Sequence, residues 1–244
     1  MSYLNAAPEA GEHPLPTARP RPPLTWSSWA GIVGPPLFTL GFLAQEFVRR
    51  GEYDPIAEPI SALEAGPLGW IQQVNFVVFG VLIIVFALGL HRGIRPAGRI
   101  GLVGAAILTW SGVGLILSAV FPLRDDVAGD FYDPTGMHTI NGTIFFLSLG
   151  TGLILISRRL ARDPAWRGLA GYALGSGIIL MVSFPFFGLV VRPDDAPLHD
   201  FAGLVQRASV AVWFAAIVTL AVRLRRLTAV ATAPISSPAA ASTR

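Results

Sequence analysis

The chain contains no cysteine and no lysine. The first absence removes disulfide staples, thiolate zinc sites and cysteine nucleophiles together, and it leaves the redox compartment unreadable. The second means that all 18 basic residues are arginine. Charge of either sign is scarce, at 14% of residues against 52% hydrophobic. A soluble domain of this length cannot hide so much apolar surface, so much of it is expected to face lipid.

What is present is a series of six apolar runs: Trp29 to Phe47, Trp70 to Leu90, Ile100 to Phe121, Met137 to Ile156, Leu169 to Val191 and Leu204 to Val222. Each is near the ~20 residues that cross a hydrocarbon core of about 30 Å. The predicted fold is all-α and polytopic, with six transmembrane helices and a short interfacial segment in the first outer loop. Residues 29–226 form the membrane domain, flanked by disordered cytoplasmic tails at 1–28 and 227–244. The proline-rich start, with Pro8, Pro14, Pro16, Pro20, Pro22 and Pro23, has no apolar run of a signal peptide.

The arginines alternate between loops. Arg92, Arg95, Arg99, Arg158, Arg159, Arg162, Arg167, Arg223, Arg225 and Arg226 fall on the side of both tails, whereas Arg49, Arg50, Arg124 and Arg192 fall on the other. By the positive-inside rule this predicts a cell-membrane protein with both termini cytoplasmic. It also accounts for the net charge of +3 without nucleic acid as a partner. Most acids, including Glu52, Glu58, Glu64, Asp125, Asp126, Asp133 and Asp200, fall on the arginine-poor side and predict an acidic outer rim.

Within the spans, Glu46, Gln72, Asn75, Ser118, His138, Asn141, Gln206 and Arg207 all fall toward the arginine-poor ends, while the opposite halves are plain hydrocarbon. Polar groups in lipid face a bundle interior or a watered cavity, so the pattern predicts a polar vestibule open on that side. Its expected ligand-binding residues are Glu46, Ser61, His138, Asn141, Gln206 and Arg207. Arg207 needs a partner, and Glu46 or Asp200 can supply one. Trp26, Trp29, Trp70 and Trp166 near span ends read as interface anchors. Gly171 with Gly175, and Gly114 with Ser118, read as seams where helix backbones approach. Pro35, Pro36 and Pro185 are expected to bend or interrupt their helices.

Ser61 and Glu64 form an S-x-x-E pattern, which predicts a short helix capped by Ser61. The alternative makes Ser61 a nucleophile beside His138, with Asp125 as a further catalytic candidate. His138, His199 and Asp126 could contribute to a zinc or manganese set, but no diagnostic spacing supports one and no cofactor is called for.

Pro59-Ile60-Ser61-Ala62-Leu63, Gly69-Trp70, Phe121-Pro122, His138 and Gly203-Leu204-Val205-Gln206-Arg207 together resemble the bacterial and archaeal "domain of unknown function 998" membrane proteins over roughly residues 29–226. The resemblance implies a six-helix membrane protein without an established activity. The Pro59-Ile60-Ser61 pattern is also similar to the damage-regulated autophagy modulator family, whose link to lipid homeostasis points to membrane lipids as partners. The leading expectation is therefore a protein that binds a lipid or a membrane-protein partner in its outer vestibule. An intramembrane lipid-headgroup hydrolase or transferase and a small transporter are the alternatives, the last without an obvious inverted repeat of broken helices.

Overall fold

Six helices form from the six apolar runs, and the computed structural model describes them within residues 22–95, 99–125, 131–191 and 196–230. They are α1 (Pro22–Val48), α2 (Gly69–Gly93), α3 (Arg99–Val120), α4 (Met137–Leu160), α5 (Ala170–Phe186) and α6 (Ala202–Val230). All six are long and apolar enough to cross a membrane. Successive helices pack side by side and α6 returns to α1, so the bundle is a closed ring in chain order. Among the described residues, two-residue strands β1 (Arg124–Asp125) and β2 (Phe131–Tyr132) pair antiparallel, and an isolated bridge joins Arg50 to Tyr53.

Close backbone approach holds neighbours together, as expected where lipid gives no hydrophobic drive between helices. A Cβ on Gly80 of α2 would lie 2.5 Å from the Gly112 carbonyl of α3, and one on Gly112 would lie 2.6 Å from that of Gly80. Gly150 and Gly177 join α4 to α5 in the same way. The expected Gly171–Gly175 seam is not among these contacts: a Cβ at either position meets open space. Four-residue spacing fixes only that two glycines share a face, and here that face points away from the bundle. Gly114 does pack, against Phe145 of α4.

The structure corrects three other expectations. First, α1 runs through Pro35 and Pro36 without interruption. Gly31 abuts Phe86 and Ala221 and Gly34 abuts Phe79, so neighbours on both sides clamp the helix where its donors are missing. Pro185 behaves as expected, because a π-helical segment, Phe187–Val191, follows it. Second, residues 22–28 belong to α1 and 227–230 to α6 rather than to tails, since helices can extend past the apolar window into the interface. The remaining tail residues lie outside the described ones. Third, Trp166 is only 1% exposed, unlike Trp26 at 72%.

Trp166 is part of a lock at the arginine-rich end. Its indole N–H donates to the Gly93 carbonyl at 3.1 Å, at the C-terminal turn of α2. Buried Arg159, in the last turn of α4, donates to His91 Nδ1 at 3.0 Å, to the His91 carbonyl at 2.9 Å and to the Ile94 carbonyl. Asp163 accepts from the Arg95 amide at 2.7 Å, and Arg223 of α6 donates to the Ala165 carbonyl at 2.8 Å. The last carbonyls of a helix have no intrahelical donors, and a guanidinium with its fixed fork can satisfy several at once. Arg159→Met is therefore expected to lower the unfolding free energy in dodecyl maltoside by ~2–3 kcal/mol. Arg158→Ala, at its exposed neighbour, should change it by under ~0.5 kcal/mol. Equal effects of the two in denaturant titrations would refute the lock.

Candidate functional site

The first connector, between α1 and α2, carries backbone polar groups into the arginine-poor end, and side chains and amides of the helices satisfy several of them. Ile56 and Ala57 offer their carbonyls to the first amides of α6, at Leu204 (2.9 Å) and Gly203 (3.1 Å). Gln206 Oε1 accepts from the Ile60 amide at 2.7 Å. Gln45 Nε2 donates to the carbonyls of Leu63 (2.8 Å) and Leu68 (3.0 Å), and Arg49 donates to that of Ala65 (2.9 Å). Non-helical backbone at membrane depth is tolerated only with such partners. Gly203 permits the approach, because a Cβ there would lie 2.2 Å from the Glu58 carbonyl.

Arg207 is the centre of this docking. One guanidinium nitrogen donates to the Glu58 carbonyl at 2.9 Å, and another to Glu46 Oε1 at 2.5 Å and to the Tyr53 hydroxyl at 2.6 Å. It thus ties α6 to α1 and to the connector between them. The Tyr53 hydroxyl can donate its own hydrogen bond to the carbonyl of Glu58 or Pro59, both 3.1 Å away. Burial pushes the Tyr53 phenol up to about 12 despite the adjacent guanidinium, so it remains a neutral donor.

On the other flank of the connector, the expected cap does not form. Ile60–Glu64 is a 3-10 turn whose N-cap position is Pro59, and no side chain caps it. Helix formation begins a residue before Ser61, so its hydroxyl is inside the turn, and Glu64 instead points into the protein. Glu64 therefore does not belong to the acidic rim: it is 3% exposed, and neither carboxyl oxygen has a well-formed hydrogen bond. His138 Nδ1 lies 3.3 Å from Glu64 Oε2 and 2.9 Å from the Phe121 carbonyl, at the end of α3. Gly69 closes the same corner, since a Cβ there would lie 1.8 Å from the Glu64 carbonyl.

Beneath the connector is a cavity of about 690 Å³. Its walls are mainly apolar and rich in aromatic rings, where the distribution of polar residues had suggested a polar vestibule. Phe38 stacks on Phe79 at 4.9 Å, Trp213 meets Phe79 and Phe145 edge-on at 5.4 and 5.5 Å, and Phe146 faces Phe184. Polar groups gather at the mouth, where exposed His199, Asp200 and Tyr132 line it together with Glu58, Ser61 and Asp133. The Asp133 carboxylate accepts from the Thr139 amide at 2.8 Å, near the start of α4. Burial alone would raise its pKa, but hydrogen bonds from Thr139, Thr135 and His138 hold it below the ordinary range.

Of the residues expected to bind ligand, Ser61, His138 and Gln206 line this cavity; Glu46, Asn141 and Arg207 do not. Asn141 is spent on packing, donating to the Gly114 carbonyl (2.8 Å) and to Ser118 Oγ (2.9 Å) across the α3–α4 seam. No hydrogen bond joins Ser61 to His138 among the described residues. Asp125 is exposed on the hairpin and is not part of the lining. His138 and His199 share the lining, Asp126 lies outside the described residues, and among those described no three histidine, aspartate or glutamate side chains cluster as metal ligands. Sequence reasoning passed over Gln45, Arg49 and Tyr53. Their one signal was a polar cluster at the end of a span, which gives no direction.

The segments that carried the resemblance, Pro59–Leu63, Gly69–Trp70, Phe121–Pro122, His138 and Gly203–Arg207, thus meet in one place. The family described as "Protein of unknown function (DUF998)" matches over residues 32–223. The chain belongs to that family. No curated protein and no solved structure matches it. In this DUF998 chain, Gly203 and Gln206 meet the connector directly, and Gly69 and His138 lie against Glu64.

Glu64 gives this region a pH signature. Burial pushes its carboxyl up to about 8, tempered by the Leu123 backbone N–H, whereas an unfolded glutamate titrates near ~4.3. Between these values the folded state holds a proton that the unfolded state has released. Stability is therefore full below the unfolded value, declines as pH rises, and has lost this contribution above about 8. The slope is at most ~1.4 kcal/mol per pH unit. Unfolding free energies measured from pH 5 to 8 should fall more steeply for the natural chain than for Glu64→Gln; parallel curves would contradict the assignment.

Proposed function

We propose that the chain binds a membrane lipid, or another amphiphile, in the aromatic cavity, with the hydrocarbon inward and the head group at the mouth. The observation that carries this reading is the cavity itself: about 690 Å³, walled by rings and rimmed by a few polar side chains. Ligand pockets are typically ~300–1,000 Å³ and have this division between apolar walls and sparse polar groups. The contacts of Gln206 and Arg207 with the connector support the reading, since they hold it over that space.

We place the protein in the cell membrane with both termini cytoplasmic, so the mouth faces outward. The support is the arginine asymmetry, which the positive-inside rule converts into orientation. The natural absence of cysteine makes this easy to examine. Ser2→Cys and Ser242→Cys should each resist an impermeant maleimide in intact cells and react after lysis. Labelling of either in intact cells would reverse the orientation.

Gly142 offers the test of occupancy. It lines the cavity, and a Cβ there meets nothing within 4 Å. Gly142→Phe should fill the space without displacing backbone. By native mass spectrometry from mild detergent, the variant is expected to retain at least about tenfold less lipid than the natural chain, equivalent to ~1.4 kcal/mol. A folded variant retaining as much would count against the reading.

A further inference from the structure

Resting on the reading that the cavity holds an amphiphile, we infer that its ligand carries a cationic head, an amine or quaternary ammonium, rather than a phosphate. Among the described residues, the lining supplies Glu58, Asp133 and Asp200 as carboxylates, and no arginine. The arginines at this end are otherwise engaged: Arg207 is paired with Glu46, Arg49 bonds the Ala65 carbonyl near Glu52, and Arg50 lies over the Phe47 ring. Arg124 is exposed on β1, opposite Tyr132 in the ladder, and is not part of the lining.

The chemistry at the mouth is what a cation needs and what a phosphate lacks. Phosphate sites are built from arginine forks, lysines or free backbone amides at a helix start. Here the first amides of α6 are taken by the Ile56 and Ala57 carbonyls, and the Thr139 amide of α4 by Asp133. The anion-binding positions are thus filled by the protein's own oxygens. A cation, in contrast, finds carboxylates alongside the exposed rings of Phe131 and Tyr132, and aromatic faces attract ammonium groups.

Three probes with the same twelve-carbon tail separate head from tail: dodecyltrimethylammonium, 1-dodecanol and dodecyl phosphate, titrated calorimetrically into the protein in neutral maltoside micelles. Gly142→Phe serves as the blank for partition into the micelle. The cation should bind at least tenfold more tightly than the phosphate, and raised salt should narrow the ratio, because exposed carboxylates are screened. Asp200→Asn, and Asp133→Asn, which keeps an acceptor for Thr139, should each reduce cation binding several-fold and leave dodecanol unchanged. Equal binding of all three probes, all abolished by Gly142→Phe, would overturn the cationic head while leaving the cavity reading intact. Tighter binding of the phosphate would do the same. Binding of no probe above the Gly142→Phe blank would sink the cavity reading and this inference with it.

Discussion

The arrangement of the arginine-poor end depends on one guanidinium. Arg207 holds the side chains of Glu46 and Tyr53 and the backbone of Glu58 at once, and so fixes α6, α1 and the first connector relative to one another. A partly buried ion pair such as Arg207–Glu46 repays little net stability after desolvation. Its value lies in geometry, because a planar fork satisfied by three different partners admits few alternative placements. Once the connector is fixed, Gln206 can meet Ile60, the α6 amides can meet Ile56 and Ala57, and Glu64 is carried down to His138. The roof of the cavity is a consequence of that sequence of constraints.

The two ends of the bundle use the same device for different results. At the arginine-rich end, Arg159 and Trp166 satisfy carbonyls at the C-terminal turn of α2, and the interior above them is filled by Phe86, Leu90, Leu153 and Leu220. At the opposite end, Arg207 and Gln45 satisfy carbonyls of an irregular connector that arches over rings instead of sealing against them. A helix end can be capped while the core remains packed. An irregular segment needs side chains drawn out of the core to satisfy it, and that withdrawal leaves a space roofed by polar groups.

The membrane class, the six helices and their approximate limits were legible in the sequence because each rests on a property summed over ~20 residues. The family was legible from short segments spread along the chain, and its model matches over residues 32–223. The Arg207–Glu46 pairing could be anticipated, since an arginine inside a span requires an acid and few were in reach. The sequence left the choice open where one residue had two plausible uses. Asn141 is chemically fit for a ligand and for the Gly114 carbonyl; Trp166 suits an interface and a buried carbonyl; Glu64 suits a cap and a buried pocket.

By itself, then, the sequence determined how often the chain crosses the bilayer and which loops carry arginine, because hydropathy and charge act residue by residue and need no knowledge of neighbours. Only the tertiary structure decided that the space between the helices is walled by Phe38, Phe79, Phe145 and Trp213, and that the connector closes over it. Those rings are apolar like the residues that face lipid, and no periodicity along a helix that is hydrophobic on every side tells which face turns inward. That choice was made by close backbone contacts such as Gly80 with Gly112 and by the carbonyls that had to find a donor.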